Sequence, residues 1–105
     1  MLGVFEQAVL LAVVRLGEDA YGRAILSEVQ ERLKRDVSAG AIQATLARLE
    51  QKGLLASRLG PGTEIRAGRP RRFYRLGPVG VRALHEAHDA VSSLWRGFKL
   101  RKGYA

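Results

Sequence analysis

The chain has 105 residues, with 18 Lys and Arg against 10 Asp and Glu, for a formal net charge of +8. Apolar residues make up 47%, which predicts a single packed domain with a modest core and excludes disorder. There is no cysteine, which excludes disulfides, thiolate catalysis and Cys-based zinc sites, and a balance this basic points first to nucleic acid and second to an anionic membrane surface.

The spacing predicts a helix over residues 3–16. Phe5, Val9, Ala12, Val13 and Leu16 form one apolar stripe, and Val4, Ala8 and Leu11 form a second beside it. A helix apolar over so much of its surface is buried on two sides. The second side meets either another subunit or the chain's own last helix. The apolar run from Ala8 to Val14 is too short to span a membrane. It also lacks the basic flank and cleavage site of a signal peptide, so it reads as a buried helix of a cytosolic protein.

A loop over residues 17–20 leads into an amphipathic helix running to Arg35, with Tyr21, Ile25, Leu26, Val29 and Leu33 on its inner face. Asp36-Val37-Ser38 breaks the pattern, and Ser38 suits the N-cap of the next helix. That helix, AGAIQATLARLEQKG, places Ile42, Thr45, Leu46 and Leu49 on one side and ends at Gly53. Its far side collects Gly40, Ala44, Ala47, Arg48 and Gln51, with Gln43 at the margin. A small, polar outer face suits a helix lying deep in a DNA major groove. There Gln43 would pair with an adenine edge, Ala44 or Ala47 would touch a thymine methyl, and Arg48 would reach a guanine or a phosphate. A plain solvated helix would also favour alanine.

Residues 54–59 read as a short strand, residues 60–70 as a loop, and residues 71–76 as the returning strand. Arg66, Arg69, Arg71, Arg72 and Arg75 crowd into ten residues, Arg58 faces them from the first strand, and Glu64 is the only acid nearby. A loop kept for solubility more often mixes both signs, so this one points to phosphate or minor-groove binding. Tyr74 and Leu76 share the strand face that anchors the hairpin in the core, while Phe73 and Arg75 point the other way.

Pro78 suits the first turn of a last helix running to about residue 98. Along it Leu84, His88, Val91, Trp95 and Phe98 recur in steps of four and three, and Ala87 and Leu94 widen the seam. The seam serves either a second copy of the chain or the first helix of the same subunit. Trp95, the only tryptophan, lies on it; it either fills the interface or helps two copies sandwich a flat aromatic compound. His85 and His88 with Glu86 and Asp89 make an incomplete ligand set from one helix, so no metal is expected. No catalytic constellation stands out.

The order of helix, helix, helix, strand, basic loop, strand and helix is mainly α with a small β-hairpin, a winged helix-turn-helix followed by a C-terminal helix. Three readings fit it: a DNA-binding regulator, an RNA-binding winged helix, and a protein-interaction module. The last has little need of so many loop arginines.

GAIQATLARLEQKGLL (residues 40–55), AGRPRRFYRLGPVGVRAL (residues 67–84) and AYGRAI (residues 20–25) together resemble the PadR family of bacterial transcriptional regulators over nearly the whole chain. Gln43 and Ala44 stand where that family often has tyrosine and proline, and Gly77 where threonine is usual. The resemblance implies a cytoplasmic homodimeric repressor of the short type with a single C-terminal helix, binding double-stranded DNA and in some members released by a small hydrophobic ligand. Residues 1–76 are then the DNA-binding domain, 77–100 the dimerisation helix and 101–105 a basic tail. The DNA contacts expected are Ser38, Gly40, Gln43, Ala44, Ala47, Arg48, Arg66, Arg69, Arg71 and Arg72. The dimer contacts expected are Phe5, Val9, Leu84, His88, Val91, Leu94, Trp95 and Phe98, with Trp95 at the ligand site. No cofactor, no catalysis and no membrane partner are expected.

Overall fold

The computed structural model describes residues 2–62 and 70–104, which form four α-helices and one hairpin. Helix α1 (Val4–Leu16) starts where the Glu6 carboxylate accepts the Gly3 N–H at 3.0 Å, and it stops at Gly17 with φ +57. A short 3-10 turn (Gly17–Asp19) leads to α2 (Gly22–Leu33), which ends at the left-handed Lys34. The Val37 N–H donates to the Gln30 side chain at 3.1 Å, which fixes the turn between α2 and α3. Helix α3 (Ala39–Gln51) begins as its sequence predicts, with the Ser38 hydroxyl accepting the Ala41 N–H at 3.0 Å. Gly53, at φ +81, reverses the chain so that the Leu54 N–H returns to the Leu49 carbonyl.

Strands β1 (Leu55–Gly62) and β2 (Pro70–Leu76) pair antiparallel, in register from Leu55 opposite Leu76 to Leu59 opposite Arg72. The ladder is irregular beyond Leu59 and closes with Gly62 opposite Pro70, so both strands reach further than residues 59 and 71. Tyr21 bridges to Phe73, and the Tyr74 N–H donates to the Ala20 carbonyl at 2.8 Å. This backbone link seats the hairpin against the start of α2. Helix α4 (Pro78–Trp95) follows Gly77, whose N–H donates to the Leu54 carbonyl.

The core lies between α1, α2, α3 and the base of the hairpin. Leu10, Ile25, Ile42, Leu46, Leu49, Val9 and Val29 are fully buried in it. Each such side chain contributes about 1.5–3 kcal/mol relative to exposure. Val9, expected at a subunit interface, is therefore corrected to a core residue: it has no surface to offer a partner. Helix α4 also ends earlier than expected, at Trp95. Arg96 is extended and Gly97 has φ +94, so Phe98 leaves the helical seam and stacks back on Trp95 at 5.9 Å.

Candidate nucleic-acid interface

The side of α3 turned away from the core carries Gly40, Gln43, Ala44, Ala47, Arg48 and Gln51, all exposed. No acid stands among them, and the alanines and glycine keep the N-terminal two turns slim enough for a groove. Ser38 is exposed at the same end, its hydroxyl already engaged in the cap. Gln43 lies over the start of α2, where Gly22 leaves room for it: a Cβ on Gly22 would stand 2.6 Å from the Gln43 Nε2.

Arg48 is placed differently from the rest of this face. Its Nε lies 3.7 Å from the Glu6 carboxylate of α1, and its Nη2 lies 3.5 Å from the Thr45 hydroxyl. The guanidinium thus leans back toward α1 rather than straight outward.

The hairpin base meets the helices through layered cations and rings. Arg71 covers the Tyr21 ring at 4.2 Å, Tyr21 meets Phe73 edge-on at 5.8 Å, and Arg58 covers Phe73 at 5.0 Å. Ring faces carry negative potential, so the stack lessens the repulsion among the wing cations it holds. On the other hairpin face Arg72 donates to the Ser57 hydroxyl at 2.9 Å, and Ser57 donates to Glu50 at the end of α3 at 2.6 Å. Tyr74 is buried beneath this chain. Burial raises its phenol pKa, the Glu50 charge raises it further, and Arg72 opposes both.

Tyr21, Gly22, Arg23, Gln43, Arg71 and Arg72 line a polar cleft of about 340 Å³ between α2, α3 and the wing. No acid lines it among the described residues, and the buried Arg71 Nε has no hydrogen-bond partner. The chemistry of this lining favours an anion over a cation. Arg23 and Tyr21 were not expected at the site. Their only signal in the sequence is AYGRAI, and nothing there says that the hairpin folds back onto it. Arg66 and Arg69 lie outside the described residues.

An apolar groove of about 420 Å³ runs between α1 and α4, with Leu11, Val14, Val81, Leu84, His85 and His88 among its lining residues. Val91, Leu94, Trp95 and Phe98 continue exposed beyond it, Leu94 at 75%, whereas Phe5 and Leu84 are partly buried against the subunit's own core. His88 Nδ1 is 3.5 Å from Asp89, and no cluster of three or more metal-ligating side chains occurs among the described residues. Among the described residues no helix is long and apolar enough to cross a membrane.

Comparison with known proteins places this architecture. No curated protein matches the chain. A PadR-like transcription factor from Bacteroides fragilis superposes with a TM-score of 0.71 at 25% identity, over 88% of this chain and 84% of that one. A PadR family transcriptional regulator from Eggerthella lenta superposes with a TM-score of 0.61 at 30% identity, over 86% and 82%. A PadR-like regulator from Bacillus cereus gives 0.65 at 23% identity, over 91% and 95%. The family model for the transcriptional regulator PadR-like family matches residues 10–86. The sequence motifs, the four helices with their hairpin, and this match agree: the chain belongs to the PadR-like family of transcriptional regulators.

Proposed function

We propose that this regulator binds double-stranded DNA sequence-specifically, as a homodimeric repressor in the bacterial cytoplasm. The observation that carries the reading is the slim, acid-free face of α3 beside the arginine cleft. Such a pairing of groove-sized helix and anion site suits base reading by one element and phosphate holding by the other. Gln43, Ala44 and Ala47 read base edges; Arg23, Arg71 and Arg72, with Arg66 and Arg69, hold the backbone; Ser38 and Gly40 let it come close to α3.

Residues 1–76 are the DNA-binding part, and residues 77–100 join two copies along the α1–α4 groove through Leu84, His88, Val91, Leu94, Trp95 and Phe98, with Phe5 of α1 beside them. The basic residues 101–105 are a tail. Two copies are needed to present two α3 helices to half-sites about 34–36 Å apart, one DNA turn. At the seam Trp95, on which Phe98 stacks, receives a flat hydrophobic aromatic ligand that releases the DNA.

The test is an electrophoretic shift with the DNA upstream of the chain's own gene, across a salt series and against an RNA competitor. Specific retention of the duplex, with log affinity falling linearly against log salt, is expected. Displacement by RNA at equal concentration would give the site to RNA instead, and no retention of either would leave a protein-interaction module.

A further inference from the structure

We propose that Glu6 is an intramolecular rival for Arg48, holding this arginine against α1 until a DNA phosphate takes its place. The inference rests on the DNA-binding reading above and adds a residue that tunes it.

The two partners are not equally free. Glu6 sits in the first turn of α1, and its Oε1 already accepts the Gly3 N–H at 3.0 Å, so the carboxylate is fixed by its own helix. Its side chain is 18% exposed. Arg48 is 47% exposed and reaches Glu6 through its Nε at 3.7 Å, a separation of charges in contact rather than a hydrogen bond. Among the described residues its side chain makes one hydrogen bond, to the Thr45 hydroxyl, and that is at the 3.5 Å limit. The mobile member is therefore Arg48, held loosely on the edge of the recognition helix.

A half-exposed ion pair of this geometry is weak, because water screens the charges and the long side chain loses rotamer freedom. A phosphate oxygen offers Arg48 the same charge at hydrogen-bond distance, and the DNA releases a counterion when it does so. The exchange of Glu6 for phosphate is thus readily reversible. Glu6 subtracts from affinity without blocking the site. Its carboxylate, left behind when Arg48 departs, draws back a cation and lessens the net counterion release.

Glu6→Gln keeps the shape of the side chain and leaves an amide oxygen for the Gly3 N–H, but removes the charge. Affinity for duplex DNA at fixed salt is expected to rise about two- to fivefold, matching the strength of a half-exposed pair. The salt slope is expected to steepen by up to about one. Glu6→Asp keeps the charge but shortens the reach to Arg48, and is expected to raise affinity in the same direction. This separates rivalry from a change in net charge. In an Arg48→Ala background both substitutions are expected to do nothing, while thermal melts remain those of the parent proteins.

A gain that persists without Arg48 overturns the proposal in favour of a general charge effect. A loss of affinity in Glu6→Gln that Arg48→Ala abolishes overturns it in favour of Glu6 as a support that aims the arginine. A wild-type chain that shows no salt-dependent binding at all overturns the regulator reading together with this one; wild-type binding with strictly additive effects overturns the rivalry alone.

Discussion

The Gln43 amide occupies the space that a side chain on residue 22 would need, since a Cβ on Gly22 would lie 2.6 Å from the Gln43 Nε2. The obstacle is the far end of a flexible side chain, so Gly22→Ala should fold, with a melting temperature unchanged or slightly higher because alanine favours the helix. The amide must move, however, and its pairing with a base edge should suffer. We expect specific affinity to fall by part of the roughly 1–3 kcal/mol carried by a good base contact, with binding to random DNA unchanged. Competition anisotropy with matched and scrambled duplexes measures both; equal losses on the two would show that Gln43 does not read bases.

Gly80 presents the opposite case. A Cβ there would run into the Leu54 carbonyl oxygen, which is backbone, and would lie 2.7 Å from Leu76 Cδ1. The Leu76 methyl can turn aside, but the backbone carbonyl cannot yield without shifting α4 off the hairpin. Gly80→Ala should therefore destabilise by roughly 1–3 kcal/mol, read as a lower urea midpoint at constant slope.

Tyr74 links stability to alkaline pH. Its folded pKa is raised by burial and by Glu50, above the ordinary value of 10.0 in the unfolded chain. Between those two values the folded state keeps a proton that the unfolded state has lost. Its stabilisation is thus full below pH 10 and lost as pH rises toward the folded pKa. Urea titrations at pH 9 and pH 11 should show this loss, and Tyr74→Phe should flatten it. An equally steep loss in the variant would place its origin elsewhere.

Val91→Asp tests the seam of α4. A charge on this half-exposed apolar position should leave the subunit fold intact and yield monomers on a sizing column, with DNA binding lost. An intact dimer would remove α4 from the interface. In the wild-type protein, planar hydrophobic compounds that release DNA should also quench Trp95 over the same concentration range. If release occurs without quenching, Trp95 only fills space.

Much of the fold was legible because local signals coincide with tertiary ones. Ser38 caps α3 and Gly53 ends it as their residue types dictate, and the stripe of Ile42, Leu46 and Leu49 faces the core that its period predicts. The outward face of α3 followed from the same wheel. What the pattern hid came from contacts between distant segments. Phe73 alternates outward with Arg75 along β2, yet Tyr21 and Arg58 cover it from two other elements. Val9 shares a stripe with Phe5, but a wheel does not say which of two apolar sides the core claims. The end of α4 came from the extended Arg96 followed by Gly97 at positive φ, a break that outweighed the apolar rhythm running on to Phe98. The cleft beside Arg23 needed the hairpin folded onto α2 before its residues became neighbours.

Helix α4 has 18 residues but fully buries only Gly80 and Ala87 in its own subunit. An isolated helix of about that length is marginal in water, so the subunit itself does little to keep the distal turns closed. Amide protons should divide accordingly. Those of Leu10, Ile42 and Leu46 exchange with solvent only when the whole chain unfolds, whereas those beyond Ala87 exchange through local opening. Whatever covers the outer side of α4 sets the rate of that opening. Deuterium uptake along this one helix therefore reports occupancy of the α1–α4 groove residue by residue, without a label and without knowledge of the occupant.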